Sequence, residues 1–156
     1  MKKLLFALVA IVCVAFVATG QTGTSSTAQK TESNKRRAVK TGPPNGLFTP
    51  AIISGDLVFT SGQLGFDSKT GQLPEGFEAQ FEQAFRNLTA VLEAAGSSSE
   101  HMLKATVFLA DMNDYTKLNE LYKAKFKGDP PARTTVQVAK LPRDGRVEIE
   151  AIAVLK

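Results

Sequence analysis

Two stretches near the C-terminal end carry the side chains whose types and spacing could do chemistry. They are P-P-A-R-T-T-V-Q-V at 130–138 and V-E-I-E-A-I-A-V at 147–154. In the first, Arg133 stands between a proline pair and a Val-x-Val alternation, a cation at the mouth of a half-buried strand. Arginine is seldom buried unless something anionic meets it. In the second, Glu148 and Glu150 point to one face of a strand, between apolar neighbours. A carboxylate held there has a raised proton affinity unless a cation or donors compensate. Two readings follow. Arg133 and Glu148 form an ion pair of the protein itself, kept because removing one partner would strand a buried charge. Alternatively, Arg133 meets a carboxylate that arrives from outside. If the two strands formed a simple hairpin about residues 140–146, Arg133 would oppose Ala153, far along the ladder from Glu148. Spacing alone decides nothing here.

Other chemistries are poorly supplied. Cys13 is the only cysteine and lies in an N-terminal apolar run, and His101 is the only histidine. Removal of that run would leave no thiolate nucleophile and no disulfide, and a zinc site would have almost nothing to coordinate with. No metal and no cofactor are expected. His101 follows a Gly-Ser-Ser-Ser-Glu loop and reads as a surface histidine.

The elements that must position Arg133 and Glu148 are legible as periods. Residues 51–53 and 57–61 flank Ser54-Gly55-Asp56 and read as a β-hairpin, followed by a turn at 67–71. From Gly76 the step changes to three and four: Phe77, Phe81, Phe85, Leu88, Val91 and Leu92 predict an amphipathic helix to Ala95, with Gly96 at its C-terminal cap. That phenylalanine stripe is core. Residues 102–109, M-L-K-A-T-V-F-L, read as a strand. Residues 111–114 cap a second helix, in which Leu118, Leu121, Tyr122 and Phe126 line one face, and Pro130-Pro131 forbids its continuation. Strands over 133–139 and 147–155 close the chain. The order ββαβαββ predicts an α+β fold, one sheet with both helices on one face. In the last strand Ile152 and Val154 share the face of Glu148 and Glu150, while Val147, Ile149, Ala151 and Ala153 form the other. A sheet apolar on both faces wants a partner, so an oligomer is expected.

The net charge of +4 hides an asymmetry: residues 1–42 hold seven Lys/Arg against Glu32, leaving 12 basic and 14 acidic side chains in residues 43–156. The basic surplus lies outside the folded part, which argues against nucleic acid as a partner. Residues 1–20, two lysines, an apolar run over 4–18 and then small residues, have the form of an export signal cleaved after Gly20. Fifteen apolar residues fall short of the roughly 20 that span hydrocarbon comfortably, so no stable membrane insertion of the mature chain is expected. The protein is then periplasmic or secreted, and cytoplasmic if the signal is not used. Residues 21–42 read as a flexible polar, basic spacer, and residues 43–156 as the domain.

The run P-A-R-T-T-V-Q-V-A-K-L-P followed by V-E-I-E-A-I-A-V resembles the signature of the RidA/YjgF family of enamine/imine deaminases. T-S-G-Q at 60–63, K-T-G-Q-L-P at 69–74, V-L-E-A-A-G at 91–96, K-A-T-V-F-L at 104–109 and D-M-N-D-Y at 111–115 agree in order and spacing. The resemblance covers about residues 46–156. It implies a chorismate-mutase-like fold assembled as a homotrimer, with ligand clefts between subunits. It also implies hydrolysis of 2-aminoacrylate-type enamines and 2-imino acids to 2-keto acids and ammonia without cofactor or metal. On it, Arg133 is the carboxylate-binding arginine, its planar fork gripping both oxygens, and Glu148 the group that positions and activates water. Ser61 and Gly62 line the pocket, the backbone at Thr135 supplies a donor, and Asn119 stands near the cleft. Two positions depart from the pattern. Phe48 stands where the best deaminases carry a tyrosine, so a phenolic hydroxyl is absent, and Thr135 stands where cysteine is frequent. The alternative is a non-catalytic exported trimer that binds small carboxylates in the same clefts.

Overall fold

The computed structural model describes residues 35–41 and 46–156. The expected export signal at 1–20 and most of the expected spacer lie outside them. Among the described residues, no helix is long and apolar enough to cross a membrane.

Among the described residues, seven strands form one sheet: β1 (Arg37–Val39), β2 (Ala51–Ser54), β3 (Leu57–Thr60), β4 (Gln63–Leu64), β5 (Met102–Leu109), β6 (Ala132–Gln137) and β7 (Val147–Val154). The order across it is β1-β2-β3-β7-β5-β6, with β4 continuing beside β7 where β3 leaves off. Every pairing is antiparallel except β5 with β6. Helices α1 (Phe77–Ala94) and α2 (Tyr115–Lys123) pack together, with α1 across β7. This is the α+β architecture expected.

The helix-covered face is the one the periods named. Val147, Ile149, Ala151 and Ala153 of β7 are buried, as are Ala105, Val107 and Leu109 of β5 and Phe81, Leu88 and Leu92 of α1. Alanines at 51, 105, 151 and 153 keep this face low, so bulky helical side chains fill the space above it. Helix α1 ends as Gly96 requires. With φ at +84°, Gly96 donates to Glu93 O at 3.0 Å and Ser97 donates to Leu92 O at 2.9 Å, the paired bonds of a Schellman cap. A 3-10 turn, Met112–Asp114, leads into α2, and Asp111 Oδ1 accepts from the Asn113 N–H at 2.9 Å. The Arg146 guanidinium grips the Asp114 carboxylate at 2.8–3.1 Å, tying the entry of α2 to the start of β7.

Two expectations are corrected, and the conditional hairpin is excluded. Residues 37–39, expected within the spacer, form β1, antiparallel to β2, with Val39 buried. Three residues are too few to display a period, and the free edge of β2 supplies the pairing. The strand expected at 57–61 ends at Thr60, and Ser61 lies beyond it. β6 and β7 are not a hairpin, because β5 lies between them.

Candidate active site

Strand order decides where the candidate residues stand. Arg133 pairs with Ala105, which pairs in turn with Ala151, so Arg133 shares the helix-covered face. Glu148 pairs with Phe108 and alternates with Val147 and Ile149, so it points to the opposite face. The two positions are offset by three residues along the strands and two strands across, roughly 10 Å in each direction. One chain therefore holds them in two separate places, on opposite faces of the sheet.

The first candidate site is built on β6 and α2. Arg133 donates from Nη2 to Asn119 Oδ1, and its guanidinium carbon lies 4.7 Å from the centre of the Tyr122 ring and 5.9 Å from that of Tyr115. Among the described residues no acid stands within ion-pair distance of Arg133, so the internal pair with Glu148 does not form in one chain. Tyr115, Asn119 and Tyr122 are spaced i, i+4 and i+7, which sets them on one face of α2. With Arg133, Phe126 and Pro131, Asn119 and Tyr122 line a cavity of about 640 Å³. Thr135 lies two residues along the same face of β6, and its buried Oγ1 has no hydrogen-bond partner among the described residues.

The second candidate site surrounds Glu148. Phe48, Gly62, Leu64, Phe66, Arg143 and Glu148 contribute to an open cavity of about 980 Å³. Gly62 is there for room: a Cβ on it would overlap Glu148 Oε1 and stand 2.7 Å from Glu148 Cδ. The Ser61 hydroxyl is used within the chain, donating to Thr49 O at 2.7 Å. Ser61 thus anchors the segment that carries Phe48. Burial, and then the negative charge of Glu150, raise the Glu148 carboxyl pKa above its ordinary value. Arg143 stacks 5.0 Å from the centre of the Phe66 ring and donates to Gly71 O at 3.2 Å.

Of the residues singled out in the sequence, the structure brings together Arg133 with Asn119, and Glu148 with Gly62 and Phe48. It holds the two groups apart. Tyr115, Tyr122 and Arg143 are not among the site residues expected from the sequence, which places Tyr122 only on the apolar face of the second helix; the helical spacing of Tyr115 and Tyr122 about Asn119 is the signal available there. Among the described residues no group of acidic, histidine or cysteine side chains could hold a metal ion.

A family model described as Endoribonuclease L-PSP matches residues 39–155. The chain belongs to this family, the RidA/YjgF proteins. A 2-iminobutanoate/2-iminopropanoate deaminase of Rattus norvegicus is 46% identical over 110 residues, covering 70% of this chain and 80% of that protein. The crystal structure of RidA from an Antarctic Psychrobacter is 44% identical at a TM-score of 0.70, over 76% of this chain and 97% of that one. Escherichia coli TdcF, crystallised with bound serine, is 37% identical at a TM-score of 0.72, over 77% of this chain and 98% of that one. The α+β fold described above is thus the chorismate-mutase-like fold of the RidA/YjgF family.

Proposed function

We propose that this protein hydrolyses 2-imino acids and their enamine tautomers to 2-keto acids and ammonia, in clefts completed by a second copy of the chain. The observation that carries the reading is Arg133: a partly buried guanidinium beside a cavity, held by a neutral amide and two aromatic rings. A cation so placed suits a carboxylate from outside. Relatives named 2-iminobutanoate/2-iminopropanoate deaminase, and TdcF crystallised with bound serine, support reading that carboxylate as part of a 2-imino acid.

In this mechanism Arg133 grips the substrate carboxylate and Glu148 takes a proton from water as the oxygen bonds to the imine carbon. With the imine nitrogen protonated, attack gives a neutral adduct bearing OH and NH2. Glu148 returns its proton to the nitrogen, the C–N bond breaks to release ammonia, and the remaining hydroxyl gives its proton to Glu148 and thence to solvent, leaving the keto acid. A carboxylate with raised proton affinity is a better base for this work at neutral pH. Since Arg133 and Glu148 occupy opposite faces of one sheet, the substrate must lie between the Arg133 half-site of one copy and the Glu148 half-site of the next. The face carrying Glu148 also bears a row Ile52–Phe59–Ile152, with Phe59 40% exposed, which suits burial in a homotrimer. The 12 basic and 14 acidic side chains of residues 43–156 suit a small anion better than the polyanion that an endoribonuclease would take.

The test is to generate an imino acid in situ with an amino-acid oxidase and trap what remains with semicarbazide. The wild type should drain the imine faster than buffer, and Arg133→Ala should not. Equal trapping in all three would refute deaminase turnover. Binding without turnover, unaltered by Glu148→Gln, would establish the carboxylate-binding reading in its place. Export through residues 1–20 remains part of the proposal, and the intact mass of the mature protein, lacking those residues, would bear it out.

A further inference from the structure

The chain has two tyrosines, and both rings stand against Arg133. They are not equivalent. Tyr115 is 41% exposed, an outer wall, whereas Tyr122 is 4% exposed and packs its ring against Phe126 at 5.1 Å between centres. The Tyr122 hydroxyl is buried and has no hydrogen-bond partner among the described residues. A purely structural tyrosine there is hard to account for. Phenylalanine would fill nearly the same volume, keep the ring beneath the guanidinium, and avoid the desolvation cost of an unpaired hydroxyl.

We propose that Tyr122 is a ligand-binding residue whose hydroxyl donates a hydrogen bond to the carboxylate gripped by Arg133. This deepens the function proposed above and rests on it. The stereochemistry allows a third donor. A carboxylate offers about four lone-pair positions, and the arginine fork occupies two. Asn119 Oδ1 accepts from Arg133 and so fixes the orientation of the guanidinium over the Tyr122 ring. Burial pushes the Tyr122 pKa up to about 12, against the pull of the Arg133 charge, so the hydroxyl remains a proton donor at physiological pH. The phenol that Phe48 lacks in one half-site thus has a counterpart, differently placed, in the other.

The probe is 2-oxobutanoate, a stable keto acid, titrated by calorimetry into the full chain as wild type, Tyr122→Phe and Arg133→Ala, with thermal unfolding recorded for each. Loss of a hydrogen bond to a charged group should raise Kd for Tyr122→Phe about tenfold or more. Its Tm, without ligand, should equal or exceed that of the wild type, because an unpaired hydroxyl has been removed. Arg133→Ala should lose binding altogether. If Tyr122→Phe binds within twofold of wild type while Arg133→Ala does not bind, the role of Tyr122 is refuted and that of Arg133 stands. If the Tm of Tyr122→Phe falls together with its affinity, the hydroxyl is structural and the proposal is again refuted. If Arg133→Ala binds as wild type does, the carboxylate reading fails and takes this one with it.

Discussion

Gly62→Ala offers a direct test of whether the placement of Glu148, rather than its mere presence, matters. A Cβ on Gly62 would overlap Glu148 Oε1 and come within 2.7 Å of Cδ and 3.0 Å of Cγ. The atoms in the way are the far end of a flexible side chain, so the protein can yield by swinging Glu148 into another rotamer. Gly62 does not have a positive φ, so alanine brings no backbone strain there. A displaced rotamer costs about 0.5–1.5 kcal/mol, and the stiffer unfolded chain returns about 0.4–1 kcal/mol. Net stability should therefore change by no more than about 1 kcal/mol. Catalysis should respond very differently, since a misplacement of about 1 Å can cost about 100-fold in rate. Gly65→Ala is the control. Its Cβ would overlap Gln80 O and lie 2.9 Å from Gln80 Cα, backbone that cannot swing aside, and Gln80 also accepts from the Arg146 N–H at 2.8 Å. That variant should lose about 1–3 kcal/mol or more. The assays are thermal unfolding and semicarbazide trapping, with Glu148→Gln and the Gly62→Ala/Glu148→Gln double variant alongside. In the double variant Gly62→Ala should add little, because both changes act on one group. Full activity in Gly62→Ala, or a further 100-fold loss in the double variant, would refute the reasoning.

Two further outcomes follow from the same geometry. Because folding raises the Glu148 pKa, the folded chain binds more protons than the unfolded chain between pH 4.5 and that raised value. Stability should fall as pH rises through this window and level off above it. Glu148→Gln should abolish that fall in a chemical-denaturation series, and in the wild type the acid limb of kcat/KM should lie above pH 4.5. Mixing Arg133→Ala with Glu148→Gln, each inactive alone, and refolding them together should restore about a quarter of wild-type activity if one copy supplies Arg133 and the next Glu148. Zero recovery would mean that both groups serve a site from the same chain.

Local periods carried much of this protein in plain view. The phenylalanine step of α1, the glycine that caps it, and the strict alternation of β7 are properties of contiguous residues, and each element lies within a residue or two of its expected place. Arg133 and Glu148 were legible for the same reason, as charges embedded in apolar strands. What could not be read was which strands are neighbours. Backbone hydrogen bonds between strands carry no residue code, so nothing in residues 130–154 announces that β5, some thirty residues earlier, inserts between β6 and β7. Residues 37–39 were misplaced for the same reason, since their strand exists only because β2 has an edge to pair with. The unpaired hydroxyl of Tyr122 was equally hidden, because a helical period marks a buried face but not what a phenol meets there. Sequence determined the local elements, through the short-range steric and hydrophobic preferences of neighbouring residues, and displayed Arg133 and Glu148 as charges within strands, while the roles expected of them came from the family resemblance. Tertiary structure alone decided that these groups face opposite sides of one sheet, because that follows from long-range pairing.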